Sequence, residues 1–365
     1  MLALRLARGT HPLVLLRRLL VAFASAGVGF LLLCALGYAA GHPDDSATAT
    51  LRLLWCLVPL AAMVHLAVAV ARTDPSTRPR PGLSAIGLGP GRLTAIAAAS
   101  TAVSCTLGSA LALLVYLHLR GDITGMPFDG AAAELLAADR PMPLPAALTL
   151  LAVPPVTASL AAALALRLRR PVPSADDPPE DGAPGGLPWG VALLAAGLAV
   201  EIYAGRGQGE AGVFAGWALT ALGLAVAGPG LTHLSGRLLQ SVRPGPIRLI
   251  AGRALMTESR RIGRPLGVVC AVGSGAFAAA TLSVTIGPPA VLGAVLVVAC
   301  TIGTLATAAL EARHARTSTT TALLALGAPP ATLRTAAALR AGALLLVLTP
   351  VTWAVAALAA MPLHS

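Results

Sequence analysis

The chain contains no lysine: all 26 residues in the Lys+Arg count are arginine. That absence excludes two kinds of chemistry. A phosphate-binding P-loop needs a lysine to reach the terminal phosphates, and Schiff-base catalysis needs a lysine amine. The chain therefore holds neither an ordinary Walker-type ATPase nor a pyridoxal site, and any ATP-driven work falls to another polypeptide. Charge is scarce altogether, at 11% of residues against about 25% in a soluble domain. Cysteine is sparse and odd in number. Cys34, Cys56, Cys105, Cys270 and Cys300 all lie inside apolar runs and read as small buried hydrophobes, not as a disulfide framework or metal site. Gly-x-Ser-x-Gly is missing, no Ser-His-Asp set assembles, and no His/Asp/Glu cluster has metal-ligand spacing. The expectation is a protein that is not an enzyme and uses no cofactor.

What the chain has in abundance is apolar sequence, 56% of its 365 residues, with a mean hydropathy of +0.80. Apolar runs of about 20 residues, the length that crosses the hydrocarbon layer, recur throughout. They do not alternate with polar residues, which argues against a membrane barrel. The fold class expected is all-α, a polytopic transmembrane helical bundle of about nine spans. These fall near 19–40, 51–71, 93–119, 144–166, 188–203, 213–232, 266–286, 289–310 and 336–360. The first follows Arg5, Arg8, Arg17 and Arg18 and reads as a retained helix; it is too long for the apolar core of a signal peptide. Residues 167–187 are a Pro-, Gly- and acid-rich linker with too little apolar surface to fold.

The net charge of +11 suggests nucleic acid until the arginines are placed. With the N-terminus inside, segments 1–18, 72–92, 167–187, 233–265 and 311–335 hold 21 of them, and the opposite side holds Arg120, Arg140 and Arg206. This is a positive-inside distribution. Topology and membrane lipids account for the charge, and no nucleic-acid partner is expected.

Two cytoplasmic connectors resemble each other. Leu83 to Ser100 reads LSAIGLGPGRLTAIAAAS, and Leu323 to Arg340, 240 positions later, reads LLALGAPPATLRTAAALR. Seven of these 18 positions are identical, including Gly87/Gly327 and Pro90/Pro330. A repeated polar connector in the same membrane context predicts two parallel halves. The first is 1–166, followed by the cytoplasmic linker 167–187, an inserted helix pair at 188–232, and a second half at 233–365. Shifted by 240, spans one to three land near spans seven to nine, and a fourth would start past the end of this sequence. The second half is thus expected to lack its last helix and to leave the C-terminus outside. In the second connector, Arg313, His314 and Arg316 follow a span. Thr317–Gly327 suits about three helical turns near the headgroups, with Leu323, Leu324 and Leu326 on an apolar side. Gly327 suits a helix C-terminus, and Pro329–Pro330 a break.

This arrangement resembles the FtsX-like permeases of ABC transporters, whose permease unit carries a basic helical connector ending in a pattern like LRALGA between its second and third helices. LLALGAPPATL (Leu323–Leu333) matches that pattern, LSAIGLGPGRL (Leu83–Leu93) follows it more loosely, and IRLIAGRALMTESRRIGRPLG looks like the basic lead into such a unit's first helix. The large extracellular domain common in that family is missing; the longest outer loop is 120–143. The resemblance implies a bacterial cytoplasmic-membrane subunit with a cytoplasmic N-terminus. It also implies a separate ABC ATP-binding subunit as partner, pairing of permeases as a homo- or heterodimer, and export or extraction of an amphiphile such as a lipid, peptide or antibiotic. On that likeness, Leu323, Ala325, Leu326 and Gly327, with Arg313 and Arg316, form one ATPase-coupling element. Leu83, Ala85, Ile86 and Gly87 form the other.

Two other functions compete. A non-transporting regulator would pass ATPase movements to an envelope partner. A secondary transporter would place ionisable groups near the midplane, where His65 alone is clearly central. Glu201, near the outer end of span five, is expected to pair with Arg206. The GxxxG pairs Gly37–Gly41 and Gly212–Gly216 permit close helix packing without naming a particular dimer.

Overall fold

The computed structural model describes residues 12–74, 184–206, 210–241, 245–281, 287–325, 327 and 329–360, and 90–168 apart from 124, 126, 128, 129, 135 and 137. A few helical positions, Arg316 and Leu323 among them, are described in backbone only. The described residues are all-helical. In order they form α1 (Pro12–Gly41), α2 (Ser46–Trp55), α3 (Leu57–Thr73), α4 (Pro90–Arg120) and α5 (Leu144–Arg167). Then come α6 (Gly186–Gly205), α7 (Glu210–Ser241), α8 (Pro246–Thr281), α9 (Pro288–Ala325) and α10 (Pro330–Ala360). Half of them begin on a proline, whose fixed φ and missing N–H suit the first helical position.

Among the described residues, eight helices are long and apolar enough to cross a membrane, which makes this a multi-pass membrane protein. They are Val14–Gly41, Ser46–Thr73, Gly91–Arg120, Leu144–Arg167, Gly186–Gly205, Gly212–Ser241, Pro288–His314 and Ala331–Ala359, each covering a span expected from the sequence. The remaining expected span, 266–286, begins within α8 and runs past the described residues. The second span is jointed: α2 and α3 meet at Cys56 because Pro59 has no N–H to donate to the carbonyl of Trp55 four residues back. Prolines inside α5 (Pro154, Pro155), α7 (Pro229), α8 (Pro265) and α10 (Pro350) leave those helices continuous, as packed membrane helices allow.

The chain divides into two compact units. The first, Met1–Val172 with Ile286–Thr304, is built on α1, which packs against α4, α5 and α3. Its core joins Val28, Leu31, Met63, Cys105, Ala158 and Cys300. Where α1 crosses α4, Ser25 Oγ donates to the Cys105 carbonyl at 2.9 Å, and Gly108 lies against the Ala22 backbone and Ser25. The start of α9 belongs here, with Leu296 over Gly27 and Gly293 beside Trp55. In the second unit, Pro173–Thr285 with Leu305–Ser365, α7 packs along its length against both α6 and α8, and α10 packs on α8 and α7. The helix pair α6–α7 packs within this unit.

Candidate coupling site

The second connector is continuous with its span. α9 runs for 38 residues, about 57 Å at 1.5 Å per residue, nearly twice the hydrocarbon thickness of about 30 Å. The separate short helix near the headgroups expected at Thr317–Gly327 is instead the end of α9. The reason lies in composition: between Gly303 and Gly327 there is neither Gly nor Pro, so nothing interrupts the hydrogen-bond ladder. The threonines along it do not compete with that ladder. Thr317 Oγ1 donates to the Arg313 carbonyl at 3.1 Å and Thr321 Oγ1 to that of Thr317 at 2.7 Å. Arg313 is exposed on α9, Arg316 and Leu323 lie within the helix, and Ala325 is its exposed last residue. Leu326 lies outside the described residues. Gly327 turns the chain at φ +86°, a left-handed conformation that suits glycine at a helix C-terminus. α10 then starts at Pro330, with the Thr332 amide donating to the Pro329 carbonyl at 3.0 Å.

Leu83, Ala85, Ile86 and Gly87 of the first connector lie outside the described residues, but its root is well defined. The Arg18 guanidinium donates to Asp74 Oδ2 at 2.8 Å, and Asp74 is buried; Arg17 donates to Thr73 Oγ1 at 3.2 Å. Two adjacent arginines on the first turns of α1 thus grip the last residues before the connector. The sequence counted these arginines only toward membrane orientation. Their partners are 56 positions away, and no local pattern announces the pairing.

His65 sits on α3, on the exposed face, away from the buried Met63, Leu66, Ala67 and Val70. Glu201 does not make the expected ion pair with Arg206. Five residues along a helix is about 140° of rotation, and Arg206, at the C-cap of α6, is exposed. Glu201 instead faces α7 and is only 4% exposed. Its Oε1 accepts from Thr220 Oγ1 at 3.2 Å, and its Oε2 has no hydrogen-bond partner among the described residues. Gly197 and Gly216 make the room: a Cβ on Gly216 would lie 2.7 Å from the Glu201 nitrogen. Gly212 and Gly216 thus serve packing inside the chain, and Gly37 likewise lies under the Tyr116 hydroxyl.

Described residues of the loop 120–143 pack against α1 and α4 in the first unit. Leu136 is buried beside Tyr116 and Leu33. Arg120, also buried, pairs with Asp122 at 3.3 Å and donates to the Arg140 carbonyl, while Arg140 Nη1 donates to the Ala40 carbonyl at 3.3 Å. Nearby, Asp45 caps α2 by accepting from the Thr48 amide at 3.2 Å, and the Tyr38 hydroxyl donates to its other oxygen at 3.1 Å. The hydrogen bonds from Thr48 hold the Asp45 carboxyl below the usual carboxylate range.

Among the described residues no group of three or more His, Cys, Asp or Glu side chains is placed to hold a metal ion. No protein-family model, no curated protein and no solved structure matches this chain.

Proposed function

We propose that the chain is the membrane subunit of an FtsX-like ABC transporter in a bacterial cytoplasmic membrane. Its N-terminus is cytoplasmic, and it moves or extracts an amphiphile at the outer leaflet. A separate ATP-binding subunit supplies the energy, consistent with a chain that has no lysine for a P-loop of its own. The observation that carries the proposal is the elbow at Gly327. The helix that carries a span continues unbroken to Ala325, Gly327 is left-handed, and the next helix starts at Pro330. A partner that moves this elbow moves two membrane helices together. The residues shared by the two connectors, Gly87/Gly327 and Pro90/Pro330 among them, support a like-built first half, and the Arg18–Asp74 pair holds the last described residues before its connector. The outer loop 120–143 is short, which favours transport over pure signalling to an envelope partner.

The test is co-purification of the full chain with an ATP-binding protein from the same cells, together with its ATP hydrolysis. Replacing Leu326 and Gly327 by Glu is expected to abolish both association and stimulation while leaving the chain in the membrane. Transport driven by an ion gradient, with no ATPase bound to a clean preparation, would overturn the proposal.

A further inference from the structure

The first unit contains a cleft of about 180 Å³ between the last turns of α1, the α2–α3 joint and the start of α9. Its walls include Leu31, Ala35, Cys56 and Ala290, with Trp55 alongside and Arg52 as the only charged lining residue among the described residues. Drug-sized sites measure about 300–1,000 Å³, so this cleft accepts part of a ligand, such as a stretch of hydrocarbon chain. Arg52 lies about 9 Å along the second span from its start at Ser46, a depth near the boundary between headgroups and acyl chains.

Arg52 is held in place without being neutralised. Its guanidinium carbon sits 3.5 Å from the centre of the Tyr38 ring, and His42 stacks on the same ring at 4.3 Å. The neighbouring carboxylate, Asp45, is engaged by Tyr38 and by the amide it caps, and among the described residues Arg52 makes no ion pair. A guanidinium presents five N–H donors in a fixed fork suited to phosphate or carboxylate. An exposed, ring-supported arginine at the edge of an apolar cleft is complementary to one kind of molecule, a hydrocarbon chain with an anionic head.

We propose that this cleft binds an anionic amphiphile taken from the surrounding leaflet, its chain lying against Leu31, Ala35 and Ala290 and its head on Arg52. The proposal rests on the transporter reading and names its substrate class by charge.

The test uses the full chain in vesicles, with Trp189, Trp217 and Trp353 changed to Phe so that Trp55 alone reports. Quenching is measured with bromine-labelled acyl chains on phosphatidylglycerol and on phosphatidylcholine. The expected result is a preference of about fivefold for the anionic lipid, the size one arginine contributes at a membrane surface. Arg52→Gln should remove the preference and Arg52→Lys keep part of it. Ala290→Phe should reduce quenching by both lipids, and free glycerol phosphate should not compete. Equal quenching by both lipids, a preference that survives Arg52→Gln, or competition by glycerol phosphate alone overturns the assignment. Because no ATPase is present, the two readings fail separately. Lost preference with ATPase coupling intact removes only the cleft, and preference without any ATPase partner removes only the transporter.

Discussion

Asp74 shows how much a single side chain can fix in this protein. It is buried at the last turn of α3 and its charge is met by Arg18, so removing that charge leaves a cation facing no anion at the root of the first connector. Asp74→Asn is expected to cost about 1–2 kcal/mol, a buried-pair effect reduced because Arg18 is 37% exposed. A lower thermal midpoint in detergent checks it, and Arg18→Lys, which keeps the charge opposite Asp74, should lose less than Asp74→Asn. Asp45 gives the pH dependence. Its carboxyl titrates lower when α2 is capped than when the chain is unfolded, so the cap is fully present above the unfolded value of about 3.9. It is lost as pH falls through the lower folded value. Trp55 emission followed downward from pH 5 should report loosening of the α2 joint, and Asp45→Ser, which caps without titrating, should flatten the curve. The Arg18–Asp74 pairing was not legible in the sequence, because it depends on which helix ends meet; the Asp45 cap is a local contact that the sequence reading passed over. Glu201 was legible as unusual and misread in its partner: proximity along the chain suggested Arg206, whereas the helical rotation turned it toward Thr220.

At the scale of elements, sequence and structure agree where apolar length decides and part where continuity decides. Eight expected spans are present because a run of about 20 apolar residues has few alternatives to a helix in a membrane. The connector after Glu311 looked like a loop-borne helix because its composition turns polar. The backbone follows the missing Gly and Pro instead and stays helical to Ala325. Thr317→Pro should therefore kink α9 in mid-extension at about 3 kcal/mol. The expected readout is lost stimulation of the partner ATPase with unchanged membrane insertion. Glycine has a different role in the second unit. Gly216→Val drives a side chain into the Glu201 backbone and should cost about 2–3 kcal/mol. It should also expose the α6–α7 hairpin to proteolysis, a change that Val at the open Gly342 should not reproduce.

For the whole molecule, the account depends on two halves of like orientation. Leu83, Ala85 and Gly87 of the first connector recur as Leu323, Ala325 and Gly327 in the second. The two units are nevertheless not simple copies: α5 packs on α4, α1 and α3 in the first, whereas α7, which precedes its unit's α8, packs on α8 and α10 in the second. Such packing depends on contacts far apart in the chain, which no local pattern in the sequence announces. The most direct measurement is accessibility of single cysteines in a chain whose five native cysteines are replaced, probed with a membrane-impermeant maleimide. The account predicts that Asp139→Cys is labelled in intact cells, and that Ala85→Cys and Ala325→Cys are labelled only after permeabilisation. Labelling of Ala85→Cys and Ala325→Cys from opposite sides of the membrane would contradict it.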